Sequence, residues 1–315
     1  MKISDNNTLR IIHEFKELGY STLELPKNII EESEKLVQSF YSINPQERIK
    51  AIADTTTGIL GYYPGEYEII IYNKLTNQPV RFHTGGRKRG YSSFDFIRDD
   101  SCFIGKYPIF IRNAWPENEP TFRKRALSLY DKISQLSTDL SLSVLKKTGN
   151  SRLDNHLGNN CFCLMRLLEY KAGISERISK EHTDYELITL IISTSEGLEI
   201  KSPKGDWQPI KPIDNSAVLL PGDMLEVITK GYIESSLHRV RCNHINRQSV
   251  IYFQGLPLDF VLGYSPTNKH LPKTFGDHIL SFLLRSAAHL EPNAVLLAKQ
   301  MNISLQSNNP FKKGK

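Results

Sequence analysis

No apolar run in this 315-residue chain approaches the ~18 residues needed to cross a bilayer. The opening stretch, MKISDNNTLRIIHEF, has no apolar segment of the kind a secretory leader carries. Cysteine is scarce: Cys102, Cys161, Cys163 and Cys242 are the whole supply. Cys161 and Cys163 are separated by a single residue, too close for a C-x2-C zinc pair, and no second pair follows. They read as free, mostly buried thiols in a reducing compartment, which excludes a disulfide scaffold and makes a cytoplasmic protein the expectation. Internal repeats and low-complexity tracts are absent too.

Long blocks of like charge are also missing. The net charge is +6 and the pI about 9.0, but the basic clusters are short: Arg87-Lys88-Arg89, Arg239 to Arg247, and the tail from Lys312. Such spacing fits a solvated surface or an acidic small molecule better than nucleic acid. Arg87, Arg89 and Arg285 are candidates to meet an acidic substrate, or are simply solvated. With 39% hydrophobic and 23% charged residues, the chain can bury a core of ordinary size.

Periodicity divides the chain. Leu9, Ile12 and Phe15 predict a first helix, "GYSTLEL" a short strand, and residues 28–43 a helix with Ile29, Ile30, Leu36 and Phe40 at helical spacing. Residues 60–112 read as loop-rich. Residues 115–149 predict one long amphipathic helix striped by Phe122, Leu129, Ile133, Leu136 and Leu140, with Pro116 and Pro120 at its start and Gly149 after its end. From Cys161 the period falls to two. "CFCLMRLLEY", "LITLIIST", "GLEIKS", "DWQPIKP", "AVLLPGD", "MLEVIT", "SSLHRVRC" and "SVIYFQGLP" predict eight short strands, with turns at "PKGD" and "PGD". Residues 277–303 predict a closing helix. The fold class expected is mainly β with flanking helices: a double-stranded β-helix (jelly roll) core, residues 151–275, with an α/β N-terminal region, 1–150, and a C-terminal helix and tail, 276–315.

The chemistry is concentrated in a few polar residues on these strands. In "EHTDYELITLI", His182 and Asp184 are two apart and point the same way on extended backbone. "SSLHRV" offers His238 on another strand. Two imidazoles and one carboxylate on one face of an octahedron leave three positions open, the arrangement used for Fe(II) and oxygen. H-x-D alone recurs by chance, and each histidine alone reads as an ordinary surface or sheet residue. The weight comes from a further pair, Arg247 and Ser249, two apart at the start of the apolar strand "SVIYFQ". A buried arginine needs an anion: either a protein carboxylate or a bound one, which its planar fork would grip in two-point fashion.

H-T-D, H-R-V and R-x-S in this order resemble the isopenicillin N synthase-like group of Fe(II)- and 2-oxoglutarate-dependent dioxygenases. "GYYPGEYE", "KRGYSSFDF", "RNAWP", "LMRLLEY" and the stretch from "GLEIKSPKGDW" to "SSLHRV" are similar to that family's segments, so the resemblance covers most of the chain. It implies that His182, Asp184 and His238 hold iron. Arg247 and Ser249 would hold the far carboxylate of 2-oxoglutarate. Tyr170 would sit beside the co-substrate or the metal, or else line the barrel as an ordinary aromatic. It also implies O2 as oxidant, a small-molecule substrate and no catalytic side chain beyond the metal centre; the sequence leaves the oligomeric state open, with a monomer favoured. An intact Asp184 points to hydroxylation, desaturation or ring closure, since halogenating relatives have a small residue there. The family's proline after Tyr170 is Lys171 here, and its small residue after H-T-D-x is Glu186, which either faces the pocket and meets a substrate amine or hydroxyl, or is solvated. Two other readings carry the same motifs: an oxidase of this fold in which R-x-S holds a substrate carboxylate, and a cupin-like binding protein without turnover.

Overall fold

The computed structural model describes residues 3–51, 60–64, 69–72, 79–82, 91–102, 112–153, 156–173, 179, 181–241, 245–263 and 272–288. Cys242, Arg87, Arg89, residues 289–303 of the expected closing helix, and the basic tail lie outside them, as does the side chain of Arg285.

The described chain begins with α1 (Asp5–Leu18), β1 (Ser21–Glu24), α2 (Lys27–Ser42) and α3 (Pro45–Lys50). Ser4 caps α1, its hydroxyl accepting from the Asn7 amide, and Gly19 ends it at φ 81°, a left-handed position that suits glycine. The segment expected to be loop-rich carries four short strands: β2 (Gly61–Tyr63), β3 (Ile69–Tyr72), β4 (Pro79–Phe82) and β5 (Tyr91–Phe96). Strands of three to six residues are too short for periodicity to expose. The long helix α4 (Pro120–Lys147) starts at Pro120 rather than near Trp115. Asp99 accounts for the difference, because it accepts from Asn113 Nδ2 and Trp115 Nε1 and so ties the preceding segment down as a loop.

Then come β6 (Leu164–Tyr170), β7 (Ile188–Ser193), β8 (Leu198–Lys201), β9 (Trp207–Ile210), β10 (Ser216–Pro221), α5 (Asp223–Ile228), β11 (His238–Val240), β12 (Arg247–Gln254) and α6 (Phe275–Ala288). "MLEVIT", expected as a strand, is instead the helical turn α5. Its buried Met224, Leu225 and Ile228 follow helical spacing, and Gly222–Asp223 supply the start. The other expected strands form. Cys161 and Cys163 are buried free thiols, whereas Cys102 is exposed.

Among the described residues the strands make an antiparallel seven-stranded sheet, β1-β10-β7-β12-β6-β5-β2, a three-stranded sheet, β11-β8-β9, and the hairpin β3-β4. Register assigns the two faces of the large sheet, because directly opposed residues share a face. Tyr62, Phe94, Leu167, Val250 and Ile192 form one row, backed by helices: Phe94 stacks on Phe40 of α2 at 4.5 Å, and Tyr252 meets Tyr130 of α4 at 5.3 Å. The other face is the interior. There Ile191, Val218 and Leu220 pack on Leu198, Ile200 and Ile210 of the small sheet. Leu168 and Tyr170 pack on Val240 of β11. The two sheets therefore close over one another, the architecture expected of the jelly roll.

Candidate metal centre

The interior face reads as rows of opposed residues. Tyr91, Tyr170 and Arg247 form the first, and Ser93, Leu168, Ser249 and Ser193 the second. Asp95, Arg166, Ile251 and Ile191 form the third, and Leu164, Phe253 and Thr189 the fourth. Polar residues recur in every row of an otherwise apolar wall, and each has a geometric role.

His182 and His238 are drawn together by backbone. They form an isolated antiparallel bridge, with His182 N–H donating to His238 O at 3.0 Å and His238 N–H to His182 O at 2.9 Å. Opposed residues of a bridge present side chains on the same side, and the rings lie 4.3 Å apart. Asp184 Oδ1 stands 3.9 Å from His182 Nε2 and 3.7 Å from His238 Nε2. One ligand atom from each of the three residues falls within 4.8 Å of the others, a spacing that suits one ion. Asp184 and His238 are buried and His182 is exposed, so the cluster is open to solvent on the His182 side.

The surrounding groups fix which atoms face the ion. Thr189 Oγ1 donates to Asp184 Oδ2 at 2.6 Å and leaves Oδ1 toward the histidines. His238 Nδ1 lies 3.1 Å from Ser236 O. A carbonyl only accepts, so Nδ1 carries the proton and the Nε2 lone pair faces Asp184. The Asp184 loop is held from behind by the start of α5. Gly222, Asp223 and Met224 amides donate to Leu187, Asp184 and Glu186 carbonyls at 2.8, 2.8 and 3.1 Å. Gly222 has to be glycine for this approach: a Cβ there would stand 2.2 Å from Glu186 O.

Arg247 is 2% exposed, at the far end of the same interior face. Its Nη2 donates to Ser193 Oγ at 2.7 Å and its Nε to Ser195 O at 3.2 Å. Its guanidinium carbon lies 4.7 Å from the Tyr170 ring centre. Nη1 is buried without a hydrogen-bond partner. Among the described residues no carboxylate lies within salt-bridge distance of it, so the protein-acid alternative finds no support there. Ser249 Oγ is 3.3 Å from Ser193 Oγ, so two hydroxyls flank the guanidinium. A buried cation with an unspent donor calls for an anion from outside the chain. The metal cluster thus suits a metal ion and this cradle an anion, the histidines at β11 of the small sheet and Arg247 on β12 of the large one. Burial raises the Tyr170 hydroxyl pKa, with Arg247 opposing, which keeps that phenol neutral.

Of the six residues expected from the sequence, the structure brings His182, Asp184 and His238 together, and separately sets Arg247 against Tyr170 with Ser249 on the same face. Ser193, Thr189 and Ser236 were not expected. A signal existed for two of them: Thr189 and Ser193 are four apart on a strand otherwise made of Ile and Leu, and so share a face. Glu186 is buried rather than solvated. Burial, with the Asp184 charge behind it, pushes its carboxyl up to about 8.

Comparisons with known proteins agree with this geometry. Residues 161–255 match the 2OG-Fe(II) oxygenase superfamily model. The chain is 26% identical over 293 residues to Homoarginine-6-hydroxylase 2-ODD-C23.2 of Arabidopsis thaliana, covering 85% of this chain and 77% of that protein. It is 32% identical over 193 residues to 2-oxoglutarate-dependent dioxygenase citB of Monascus ruber, covering 56% and 58%. In fold it is similar to a full-length Neurospora crassa protein crystallised in complex with alpha-KG and thymine. The TM-score is 0.71 at 21% identity, over 90% of this chain and 92% of that one.

Proposed function

We propose that this chain, whose residues 161–255 match the 2OG-Fe(II) oxygenase superfamily model, holds Fe(II) on His182, Asp184 and His238 and the far carboxylate of 2-oxoglutarate on Arg247 and Ser249. The observation that carries this reading is Arg247. It is a buried guanidinium with an unpartnered Nη1 on β12 of the large sheet, whose interior face also carries Thr189, the residue that holds Asp184 of the two-histidine, one-carboxylate cluster. When bound, the metal and 2-oxoglutarate supply the oxidising chemistry with O2.

The chain's own residues bind, orient and shield. Thr189 and the Ser236 carbonyl aim the ligand atoms. Tyr170 lies along the Arg247 guanidinium and, with Val240 and Leu168, walls that end from water. Ser193 joins Ser249 as a second hydroxyl beside the carboxylate site. The substrate is a small molecule and the outcome hydroxylation, in keeping with the relatives named hydroxylases. Unpaired Cys161 and Cys163 and a ferrous centre both suit a reducing compartment such as the cytoplasm. Among the described residues no helix is long and apolar enough to cross a membrane.

The test is succinate release from 2-oxoglutarate by purified protein. Release that requires both Fe(II) and O2 supports the reading. Iron-loaded protein that consumes oxygen with its substrate but without 2-oxoglutarate would instead make the chain an oxidase of this fold.

A further inference from the structure

A second arginine lies on the interior wall, and the proposed function does not use it. Arg166 of β6 is the direct register partner of Asp95 of β5. The two form parallel bonds, Nε to Oδ1 at 2.8 Å and Nη2 to Oδ2 at 2.6 Å. Asp95 is sealed in, with a side chain 4% exposed, but that of Arg166 is 35% exposed. Arg166, Leu168 and Tyr170 alternate along β6, so Arg166 faces the same space as the ring that covers Arg247.

The guanidinium leans toward the metal side of that space. Its carbon lies 5.4 Å from the Phe253 ring centre. Phe253 is the register partner of Thr189, whose hydroxyl holds Asp184. Among the described residues Nη1 of Arg166 has no hydrogen-bond partner. One edge of the planar fork is therefore fixed by Asp95, and the other is presented rigidly to whatever enters.

Resting on the function proposed above, we infer that Arg166, clamped by Asp95, is the substrate-recognition group of this pocket, donating to the carbonyl oxygen of a neutral, planar amide, imide or ureide. The contrast with Arg247 selects that class. Arg247 has no protein acid beside it among the described residues, as a carboxylate site requires. Arg166 is already neutralised by a two-point partner, so it offers directed donors without net charge. A substrate carboxylate placed there would face Asp95 with no cation left to answer it.

The experiment uses the full chain with Fe(II) and 2-oxoglutarate, and reads succinate release above the substrate-free level. Three sets of probes are offered: neutral carbonyl compounds (thymine, uracil and hydantoin), the cation homoarginine, and the carboxylate indole-3-acetate. The neutral set is expected to stimulate release. Arg166→Gln should raise the half-saturating concentration of the active neutral probe roughly 10-fold or more, with the anaerobic 2-oxoglutarate titration unchanged. Arg166→Lys should recover little of the loss, since an ammonium lacks the fork. Asp95→Asn, which leaves the guanidinium uncompensated, should shift preference toward the carboxylate probe, and it stands as the second variant should Arg166→Gln fail to fold. Stimulation by the cation or carboxylate alone, by no neutral probe, or unaltered half-saturation in both variants overturns the inference. Wild-type protein that does not bind 2-oxoglutarate would instead count against the proposed function itself.

Discussion

Replacing Arg247 with methionine separates a carboxylate anchor from a structural arginine. Methionine keeps much of the volume and removes the charge. In the native chain the guanidinium is 2% exposed, spends Nη2 on Ser193 and Nε on Ser195 O, and leaves Nη1 without a partner. Without its anion such a group is a net burden, so Arg247→Met should leave the ligand-free protein equally or more stable. With 2-oxoglutarate the order reverses. Charge-assisted hydrogen bonds contribute about 1.5–3 kcal/mol each, so losing the two-point grip weakens binding by about 3 kcal/mol, roughly a hundredfold. Ligand at a hundred times its Kd adds about 2.7 kcal/mol to native stability, roughly 5 °C in Tm for a chain of this size. The assay is anaerobic scanning calorimetry of Fe(II)-loaded wild type and variant, with and without 2-oxoglutarate. The wild type should show the upward shift, the variant almost none, and Arg247→Lys an intermediate value. A variant that keeps the full shift, or that unfolds far below wild type without ligand, would refute the reasoning and make Arg247 structural.

His182→Ala and His238→Ala should each abolish metal binding and turnover, read by metal analysis after desalting; full activity in either would remove that residue from the centre. Thr189→Val keeps the shape but frees Asp184 Oδ2, and should weaken metal affinity about 10- to 100-fold in a competitive chelator titration. Ser193→Ala should raise the 2-oxoglutarate Kd by roughly threefold to tenfold while the metal affinity holds, since it removes one hydroxyl beside the carboxylate site. Gly222→Ala brings a Cβ against the Glu186 carbonyl at 2.2 Å, and should show both a lowered Tm and impaired metal binding, because the loop that moves carries Asp184; unchanged values for both would mean that the loop is not held by α5.

The parts of this fold that were legible share one property: their signal is local. The α2 and α4 stripes, the period-two strands from β6 onward, and H-x-D before β7 can be read from neighbours in sequence. Misreadings arose where the deciding contact is distant. "MLEVIT" carries enough β-branched and apolar residues to pass for a strand, but the amides of Gly222 to Met224 are taken by the Asp184 loop, and the segment turns helical to reach them. The strands β2 to β5 are too short to show a period, and it is the opposing residues of β6 that hold β5 in place. The pocket was half legible. His182, Asp184, His238, Arg247 and Ser249 could be paired by spacing, because i and i+2 share a face. Of the residues that aim them, Ser193 looks ordinary until register sets it opposite Ser249, and Thr189 and Ser236 until the chain brings them within hydrogen-bond distance of Asp184 and His238. Asp95 and Arg166 are 71 positions apart and meet only across the β5–β6 ladder.

The central claim is that one pocket holds Fe(II) on His182, Asp184 and His238 while Arg247 grips 2-oxoglutarate. The most direct test is an anaerobic titration of the Fe(II)-loaded protein with 2-oxoglutarate, followed in the visible spectrum. A weak charge-transfer band that grows and saturates with 2-oxoglutarate, and needs roughly a hundredfold more of it in Arg247→Met, is the predicted result. No band with iron demonstrably bound, or a band indifferent to Arg247, would contradict the account.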